Sequence, residues 1–338
     1  MGDRIKAAVI GTGRIGVLHA ANIATRCSDI ELAAVSDVVL ASAHACARAN
    51  NVFDVYADYR AVLDRSDIDA VVICSSTDTH ARIIMDAAES GKHIFCEKPI
   101  GFDLPRIDIV LQAVKTAGVK LQIGFNRRFD PSFRRAKTAI ENGAVGKLHL
   151  LRITSRDPAP PPISYIEVSG GLFFDMTIHD FDMARFLAGC DADEVYAKGA
   201  VLVDEGIGQA GDIDTALILL TFENGAICSI DNSRRAVYGY DQRIEVFGSA
   251  GMVEAGNEHP NTVVLSGAET IRQDLPLNFF MDRYADAYLS EIHAFFTSVK
   301  DDTDPPVCGE DGRAPVVMAI AAQKSLKENR PVKLADVG

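Results

Sequence analysis

The first part of the chain, up to about Phe125, repeats one unit in which a short apolar run is followed by a stretch with helical periodicity. Nearly continuous apolar runs are typical of strands that helices cover on both faces, and their alternation with helices indicates a parallel sheet. The predicted strands are Ala7–Ile10, Leu32–Ser36, the weaker Val52–Tyr56, Ala70–Ile73, His93–Cys96 and Lys120–Ile123. We therefore expect a doubly wound α/β domain over residues 1–125.

The rhythm changes after Arg128, where strands begin to follow strands without helices between them. The predicted elements are a helix Pro131–Asn142, a strand Lys147–Ser155, a proline-rich loop Pro158–Pro162, a helix Asp175–Leu187, the strands Val195–Val203, Thr215–Phe222, Ala226–Ser233 and Gln242–Phe247, and two closing helices, Met281–Lys300 and Gly312–Asn329. Consecutive strands imply a mainly antiparallel sheet. Residues 126–338 are therefore expected to form an α+β domain on a large, open sheet.

Composition narrows the function classes. The chain of 338 residues exceeds the usual size of one hydrophobic core, and its net charge of -13 comes without the basic clusters of a nucleic-acid-binding protein. No apolar run reaches the length of a membrane span, and the strand pattern begins at Ile5, so we expect no cleavable leader. The seven scattered cysteines suggest reduced thiols. A cytoplasmic protein with a small-molecule ligand is expected.

A glycine-rich motif follows the first predicted strand and opens a helical stretch. Its residues are Gly11, Thr12, Gly13, Arg14, Ile15 and Gly16. In the dinucleotide-binding fingerprint the first glycine permits a tight turn, the second lets the backbone approach the pyrophosphate, and the third allows close packing of helix on strand. The motif therefore predicts a Rossmann-type domain with the pyrophosphate at a helix N-terminus.

Asp37 follows the second predicted strand, about 21 residues after Gly16, where an acidic residue accepts hydrogen bonds from the adenosine ribose. Its carboxylate would repel the additional phosphate of NADP, which favours NAD. Arg14 is a cation near that pocket and leaves NADP open as an alternative.

Three further residues offer chemistry for oxidising an alcohol. Lys98 lies at the carboxyl end of a predicted parallel strand, where ligands bind in open α/β sheets, although a surface lysine is the simpler interpretation. Asp175 and His179 are four residues apart, so a helix would place both on one face, where the carboxylate orients the imidazole as a base. The alternatives are an N-cap and a buried ring, or a Zn or Mn site that includes Asp182.

Several segments together resemble the glucose-fructose oxidoreductase and inositol dehydrogenase family. The family's Glu-Lys-Pro signature is matched by Glu97, Lys98 and Pro99. Further similar segments are Ser75–His80, Gly124–Phe129 and Gly170–Leu187, so that the resemblance spans essentially the whole chain. Within the family, Ser155–Pro158 and Asp175–Asp182 are most similar to the inositol 2-dehydrogenase members.

The resemblance implies an NAD-dependent dehydrogenase that oxidises a ring secondary hydroxyl of a cyclic polyol, foremost myo-inositol to 2-keto-myo-inositol (scyllo-inosose). Scyllo-inositol, another inositol isomer or an anhydrosugar such as levoglucosan are the alternative substrates. A non-catalytic NAD-binding sensor is the alternative of another class. The presence of Lys98, Asp175 and His179 argues against that sensor, because it would have lost its base.

The resemblance also implies the roles of individual residues, in a reaction without a metal. His179, oriented by Asp175, takes the hydroxyl proton while Lys98 hydrogen-bonds the reacting oxygen. The implied cofactor contacts are the six residues of the glycine motif with Asp37, Ser75, Ser76, Thr77, His80, Glu97 and Lys98. The implied polyol contacts are Lys98, Arg127, Asp157, Asp175, His179, Asp182, Tyr240 and Tyr284.

The large sheet of the second domain has a face that the predicted helices do not fully cover. Family members commonly pair this face between subunits. We therefore expect a homo-oligomer, a dimer or tetramer formed through the C-terminal sheet.

Overall fold

The computed structural model describes residues 4–337. The strands are β1 Ile5–Ile10, β2 Ile30–Ser36, β3 Asp54–Tyr56, β4 Ala70–Ile73, β5 His93–Glu97, β6 Leu121–Gly124, β7 Leu148–Arg156, β8 Ala192–Ala200, β9 Thr215–Phe222, β10 Ile227–Ser233, β11 Asp241–Gly248, β12 Met252–Ala255, β13 Val264–Ser266, β14 Ile271–Gln273 and β15 Val332–Lys333.

The helices are α1 Arg14–Arg26, α2 Leu40–Ala49, α3 Arg60–Leu63, α4 Thr77–Glu89, α5 Leu104–Ala117, α6 Pro131–Glu141, α7 Ile163–Ile166, α8 Ile178–Ala188, α9 Glu205–Gln209, α10 Phe280–Arg283, α11 Ala285–Lys300 and α12 Gly309–Glu328. A π-helical turn, Phe173–Thr177, precedes α8, and 3-10 turns lie at Asn126–Phe129 and Leu334–Asp336. In the described part of the chain, no helix has the length and apolar character needed to cross a membrane.

The first sheet contains six parallel strands in the order β3-β2-β1-β4-β5-β6. This is the order of a Rossmann fold, and it confirms the predicted doubly wound sheet. The order reverses between β1 and β4, and ligands of such sheets bind at the carboxyl ends of the strands beside this point. Gly11, Asp37, Ser75 and Lys98 all follow the carboxyl ends of strands of this sheet.

The second sheet contains seven strands in the order β12-β11-β7-β10-β9-β8-β15. All pairs in it are antiparallel except β7 with β10, which is parallel. The predicted large, mainly antiparallel sheet is therefore confirmed. Along β9 the side chains alternate, with Ile218 and Leu220 buried and Leu217 and Leu219 exposed, so one face of the sheet is covered within the unit and the other is not.

The described chain divides into two compact units, residues 1–126 with 286–314 and residues 127–285 with 315–338. This differs from the expected division at residue 125, because residues 286–314 group with the first unit. The reason is packing: Ile292, Phe295 and Phe296 of α11 belong to the same buried core as the first sheet. The rings of Phe95 and Phe295 meet edge to face with centroids 5.9 Å apart.

Two predicted helices differ locally from the structure. The helix expected over Asp175–Leu187 begins with the π-helical turn, and α8 starts only at Ile178. The helix expected over Met281–Lys300 is interrupted at Tyr284 and forms α10 and α11. The apolar residues keep a helical spacing across both the π-helical turn and the break at Tyr284. The hydrophobic pattern therefore does not reveal either interruption.

Candidate active site

Three glycines shape the turn between β1 and α1, each for its own reason. Gly11 has a φ of +91°, and a Cβ there would lie 2.5 Å from the backbone nitrogen of Ser75. A Cβ on Gly16 would overlap the carbonyl oxygen of Gly11. A Cβ on Gly13 would meet nothing within 4 Å in the described chain. Two glycines thus permit close packing, while Gly13 borders open space where a pyrophosphate can approach the backbone.

The helix α1 presents its N-terminus at this open side. Its N-cap residue is Gly13, which supplies no side-chain acceptor to the first amides, and its first turn contains no acidic residue. Amide donors and the partial positive charge of a helix N-terminus bind anions. Arg14 is exposed and Ile15 half-buried at the start of the helix. This geometry fits the predicted pyrophosphate site.

Asp37 lies directly after β2, and the glycine turn holds its carboxylate. Oδ2 accepts hydrogen bonds from the Thr12 amide at 2.7 Å and from the Thr12 hydroxyl at 3.0 Å, and Oδ1 accepts one from the Val39 amide at 2.8 Å. The buried Thr12 side chain therefore anchors Asp37. The carboxylate is fixed beside the turn, where it can accept from a ribose and repel a 2′-phosphate.

The loop after β4 contains three of the predicted cofactor contacts. Ser76 is the N-cap of α4 and Thr77 its first residue. The hydroxyls of Ser75 and Thr79 are 2.7 Å apart, so the loop is braced against the first turn of the helix. Ser76 is exposed and Ser75 and Thr77 are half-buried, as residues that border a ligand would be.

His80, a predicted cofactor contact, is buried and lies between the carbonyl oxygens of Ser75 and Pro99. The ring is 1% exposed, with Nδ1 2.8 Å from the carbonyl oxygen of Pro99 and Nε2 3.0 Å from that of Ser75. Burial lowers the pKa of His80 from 6.5, so the neutral ring donates to one of the two carbonyls at pH 7. We therefore interpret His80 as a link between the two segments.

The Glu97–Pro99 turn begins at the last residue of β5, and its Lys98–Pro99 peptide bond is cis. The Glu97 Oε1 atom lies 2.7 Å from Nε2 of the fully buried His19. Gly124 is paired with Glu97 across the sheet, and a Cβ there would lie 3.0 Å from Glu97 Oε2. Glycine thus leaves room for the carboxylate. The predicted cofactor contact Glu97 is consequently bound to a histidine that sequence reasoning missed.

Glu291 of α11 lies behind this pair and was also missed. It is fully buried, its Oε1 is 3.9 Å from His19 Nε2, and neither carboxyl oxygen has a hydrogen-bond partner within residues 4–337. Burial, and then the charge of Glu97, raise the pKa of Glu291 well above 4.5. The surroundings of Glu291 therefore favour its protonated form.

In the second unit, Asp175 lies within the π-helical turn and His179 within α8. The Asp175 carboxylate accepts from the Tyr165 hydroxyl at 2.8 Å and from Arg234 Nη1 at 2.9 Å. Because of the π-helical turn, the spacing of four does not correspond to the α-helical turn that the sequence predicted. Arg234 is fully buried and also contacts Asp212 at 3.4 Å. Arg234 and Tyr165 are positioning groups that the sequence did not reveal.

Asp182, which was predicted to contact the polyol, lies in an ion pair with Arg128. Both its oxygens accept hydrogen bonds from Arg128 at 2.6–3.0 Å, and its side chain is 1% exposed. This geometry is that of a structural ion pair. The alternative metal set of Asp175, His179 and Asp182 is not assembled in the described part of the chain, because guanidinium groups bind both carboxylates.

Arg127 is buried in a network rather than extended toward solvent. Its Nη1 donates to Asp180 at 2.5 Å and its Nη2 to the Ser155 hydroxyl at 3.3 Å. Asn232 donates to the other Asp180 oxygen at 2.8 Å. The charge of the arginine is thus neutralised within the unit, and a polyol would meet an arginine whose direction is already fixed.

Tyr240 and Tyr284 are neighbours in the buried interior of the second unit. Their rings meet edge to face with centroids 6.0 Å apart, and the Arg127 guanidinium lies 5.8 Å from the Tyr284 ring centre. The Tyr284 hydroxyl has no hydrogen-bond partner among the described residues. A buried hydroxyl usually has such a partner, so this one is available to a ligand.

Asp157 follows β7 and is coupled electrostatically to these groups. Burial and then the negative charge of Asp175 raise the pKa of Asp157 to about 7, while Arg234 and Arg127 oppose the rise. A carboxyl group with this pKa exchanges a proton near neutral pH and can either donate to or accept from a hydroxyl. The second unit therefore offers a set of polar groups suited to a polyhydroxylated ligand.

Comparisons with known proteins agree with this geometry. Residues 5–125 match an oxidoreductase family with an NAD-binding Rossmann fold, and residues 133–254 match a GFO/IDH/MocA C-terminal domain. The chain is 51% identical to myo-inositol 2-dehydrogenase of Thermotoga maritima, over 97% of this chain and 98% of that one. It is 44% identical to inositol 2-dehydrogenase of Rhizobium meliloti, over 98% and 99%. Scyllo-inositol dehydrogenase from Lactobacillus casei, solved with NAD(H) and scyllo-inositol, matches with a TM-score of 0.92 and 34% identity, over 98% and 99%.

The glycines provide a matched pair of substitutions. Gly13→Ala places a methyl group in open space at an ordinary φ of −69°, so we expect the melting temperature to stay within about 2 °C while NAD affinity falls at least ~10-fold. Gly16→Ala overlaps backbone and should lower the melting temperature by roughly 10 °C or more. Calorimetry of NAD binding and thermal unfolding measure both. A Gly13→Ala protein that binds NAD normally would contradict the assignment.

Glu291→Gln tests the protonation of the buried acid, because glutamine has the shape of the protonated group. With the folded pKa of Glu291 raised, the wild-type protein retains its full stability below the unfolded pKa and loses it as pH rises toward the folded pKa. The free energy of unfolding should fall relative to Glu291→Gln by up to about 1.4 kcal/mol per pH unit above pH ~5.

Denaturant titrations of both proteins between pH 5 and pH 8 measure this difference. The other ionisable groups around Glu291 are Glu97, His19 and Cys74, and all three are common to both proteins. A difference that is independent of pH would mean that Glu291 is ionised throughout.

Proposed function

Because this chain belongs to the GFO/IDH/MocA oxidoreductase family, we propose that it catalyses the NAD-dependent oxidation of an inositol ring hydroxyl, with myo-inositol converted to 2-keto-myo-inositol (scyllo-inosose). The observation that carries the substrate class is the polar interior of the second unit. There Asp157, Asp175, Arg127 and the Tyr284 hydroxyl supply the alternating donors and acceptors that a ring of hydroxyls requires.

The first unit is an NAD-binding Rossmann domain. NAD is favoured over NADP because Asp37 is fixed at the end of β2 by Thr12 and presents its carboxylate where NADP carries a phosphate. The exposed Arg14 is the residue that would accommodate that phosphate, so kinetics with both cofactors decide how strict the preference is.

Oxidation of a secondary alcohol breaks a C–H and an O–H bond and forms a carbonyl group. NAD, when held by the glycine turn and Asp37, would supply the hydride acceptor. We assign the hydroxyl proton to His179 as base, with Asp175 as its orienting carboxylate, and the reacting oxygen to Lys98 as hydrogen-bond donor. Tyr165 and Arg234 hold Asp175 in one orientation, which supports the role given to it. A positive donor at the oxygen stabilises the alkoxide character that develops as the proton leaves.

Recognition of the remaining hydroxyls is assigned to Arg127, Asp157, Tyr240 and Tyr284. Arg127 is held by Asp180 and Ser155, so it loses little conformational entropy when a ligand binds. The alternative substrate is scyllo-inositol, since a solved relative binds it with NAD(H). The two isomers differ in the direction of one hydroxyl.

We also propose a homo-oligomer, a dimer or tetramer, formed through the uncovered face of the second sheet. An apolar row crosses four neighbouring strands there, because Met252 is paired with Phe247, Phe247 with Leu150, and Leu150 with Ile227. All four side chains are 43–52% exposed. A contiguous apolar row on a sheet is typical of a protein interface. A second copy of the chain, with its own such face, is the occupant that family resemblance favours.

A cytoplasmic location is part of the same proposal. All seven cysteines, each within the described residues, are free thiols, and burial raises the pKa of Cys27, Cys96 and Cys228. Thiols in this state are typical of a reducing compartment, where NAD-dependent metabolism also takes place.

The function is tested with a panel of myo-inositol, scyllo-inositol, other inositol isomers, levoglucosan and glucose, each with NAD and with NADP. We expect NADH absorbance to appear fastest with myo-inositol and NAD. An inert panel combined with measurable NAD binding would instead favour a sensor.

Replacing His179 with Ala should lower kcat by roughly 10²–10⁴-fold, because the base is lost, while the Kd of NAD changes less than ~3-fold. The matched control is His259→Ala in the same unit. The His259 ring makes an exposed contact, with Nδ1 2.8 Å from the Asp274 carbonyl oxygen, and this variant should keep its kcat. Steady-state kinetics and NAD titration measure both variants. An unchanged kcat in His179→Ala would assign the base to another group, with Asp157 the first candidate.

The oligomer is tested with the double variant Leu150→Glu and Ile227→Glu, which puts two charges into the apolar row. Both side chains are exposed within one chain, so the fold should be kept while self-association is lost. Phe53→Glu, at a side chain that is 95% exposed in the first unit, is the control. Sedimentation velocity gives the mass of each protein. A wild-type monomer at micromolar concentration would disprove the interface.

A further inference from the structure

Two buried histidines contact the Glu97–Pro99 turn from its two ends. His19 contacts the Glu97 carboxylate at 2.7 Å, and His80 contacts the Pro99 carbonyl oxygen at 2.8 Å. Their rings are 0% and 1% exposed, so neither lies on the surface of a ligand site. Lys98 is the residue between the two anchored ones. The chain is thus held through the Glu97 side chain immediately before the lysine and through the Pro99 backbone immediately after it.

The surroundings of His19 determine which of its nitrogens carries the proton. The ring is packed edge to face against Phe95 and Tyr288, with centroids 5.1 and 5.8 Å away. Its Nδ1 has no hydrogen-bond partner within residues 4–337. An N–H at Nδ1 would be a buried donor without an acceptor, which costs more free energy than a bare lone pair there. The proton is therefore on Nε2 and is donated to Glu97.

A metal ion is the alternative interpretation of this cluster. His19, Glu97 and Glu291 are residue types that bind zinc, and their ligand atoms lie within 4.8 Å of one another. The 2.7 Å between His19 Nε2 and Glu97 Oε1 is a hydrogen-bond distance, whereas two ligands of tetrahedral zinc lie roughly 3.3 Å apart. The distance thus favours a shared proton over a shared metal ion.

The stability of the fold does not by itself explain why Glu97 is paired with His19. Apolar side chains of similar volume in place of a buried carboxylate and its partner are often neutral or stabilising. Glu97 nevertheless extends into the core, into space that Gly124 leaves open, and meets a histidine there. Lys98 is the next residue along the chain from this buried carboxylate.

We propose that His19 and His80 are positioning residues for Lys98, His19 acting through the Glu97 carboxylate and His80 through the Pro99 carbonyl. The inference rests on the proposed function, in which Lys98 hydrogen-bonds the reacting oxygen. A catalytic group works within a tolerance of about 0.5 Å, and displacement by 1 Å can cost on the order of 100-fold in rate. By holding the turn, the two buried histidines keep Lys98 within that tolerance.

The kinetic test compares His19→Leu with His19→Gln. Leucine removes the donor and should lower kcat roughly 10–100-fold, with the KM of the polyol and the Kd of NAD within ~3-fold of wild type. Glutamine can place an N–H near the position of Nε2 and should restore most of kcat. His93→Leu is the matched control. His93 lies on β5, the strand that contains Glu97, at the opposite end from Glu97, and its ring accepts a hydrogen bond from the Lys120 amide. It should keep its kcat.

A double-mutant cycle separates positioning from general destabilisation. Because His19 acts through Lys98, His19→Leu should lower kcat by less than ~2-fold when Lys98 is already replaced by Met. Equal losses in both backgrounds, or no rescue by glutamine, would overturn the proposal. One equivalent of bound metal in the wild-type protein that is absent from His19→Leu would also overturn it, and elemental analysis measures this.

A crystal structure of His19→Leu gives a readout that does not depend on the substrate. Displacement of the Glu97–Pro99 backbone or of Lys98 Nζ by about 1 Å supports the proposal, and an unmoved turn refutes it. If the wild-type protein oxidises none of the polyols, the proposed function has failed while this structural outcome still decides whether His19 positions the turn.

Discussion

The first unit depends on the contact between the Gly11 backbone and helix α1, which is so close that no side chain fits between them. This contact brings the helix N-terminus to the edge of the sheet and leaves Gly13 facing open space. It also brings Thr12 to the end of β2, where its amide and hydroxyl hold Asp37. The anion site and the ribose acceptor are therefore set by the same close approach.

The second unit is governed by buried charge. Around α8 and the turn before it, three arginines are each matched to an aspartate: Arg127 to Asp180, Arg128 to Asp182 and Arg234 to Asp175. Each of these ion pairs fixes the direction of its charged groups, whereas apolar side chains of similar volume would often be as stable. Asp157, next to this set, has its pKa raised to about 7 and so differs chemically from the paired carboxylates. The charged groups of the ion pairs are fixed in direction, whereas the neighbouring Asp157 can gain or lose a proton near neutral pH.

The sequence was sufficient for the features that repeat or that have local signatures. Strand periodicity predicted both sheets, and the glycine spacing predicted the turn whose packing the structure displays. Features that depend on distant partners were not predictable. Arg234 lies 59 positions from Asp175, and His19 lies 78 positions from Glu97. The sequence around a single arginine or histidine in an apolar segment does not indicate which distant residue it contacts.

The contacts of two predicted site residues were not predictable for the same reason. Asp182 has the residue type and spacing of a ligand group, but Arg128 binds it, and His80 lies below the loop that it was expected to extend from. The π-helical turn at Asp175 is likewise invisible to periodicity, because one additional residue per turn does not interrupt an apolar face over so short a distance. The prediction was limited because a sequence does not show in which direction a side chain points, even where it indicates a helix or a strand.

The inclusion of residues 286–314 in the first unit bears on how the protein folds as it is made. Its six parallel strands leave the ribosome early, but Ile292, Phe295 and Phe296, which complete their core, emerge only after six of the seven strands of the second sheet, β7 to β12, have been synthesised. The nascent N-terminal strands must therefore remain incompletely packed, with part of their apolar surface uncovered, for most of translation. The first unit is therefore completed only after most of the second unit has been synthesised, although its first strand begins at Ile5.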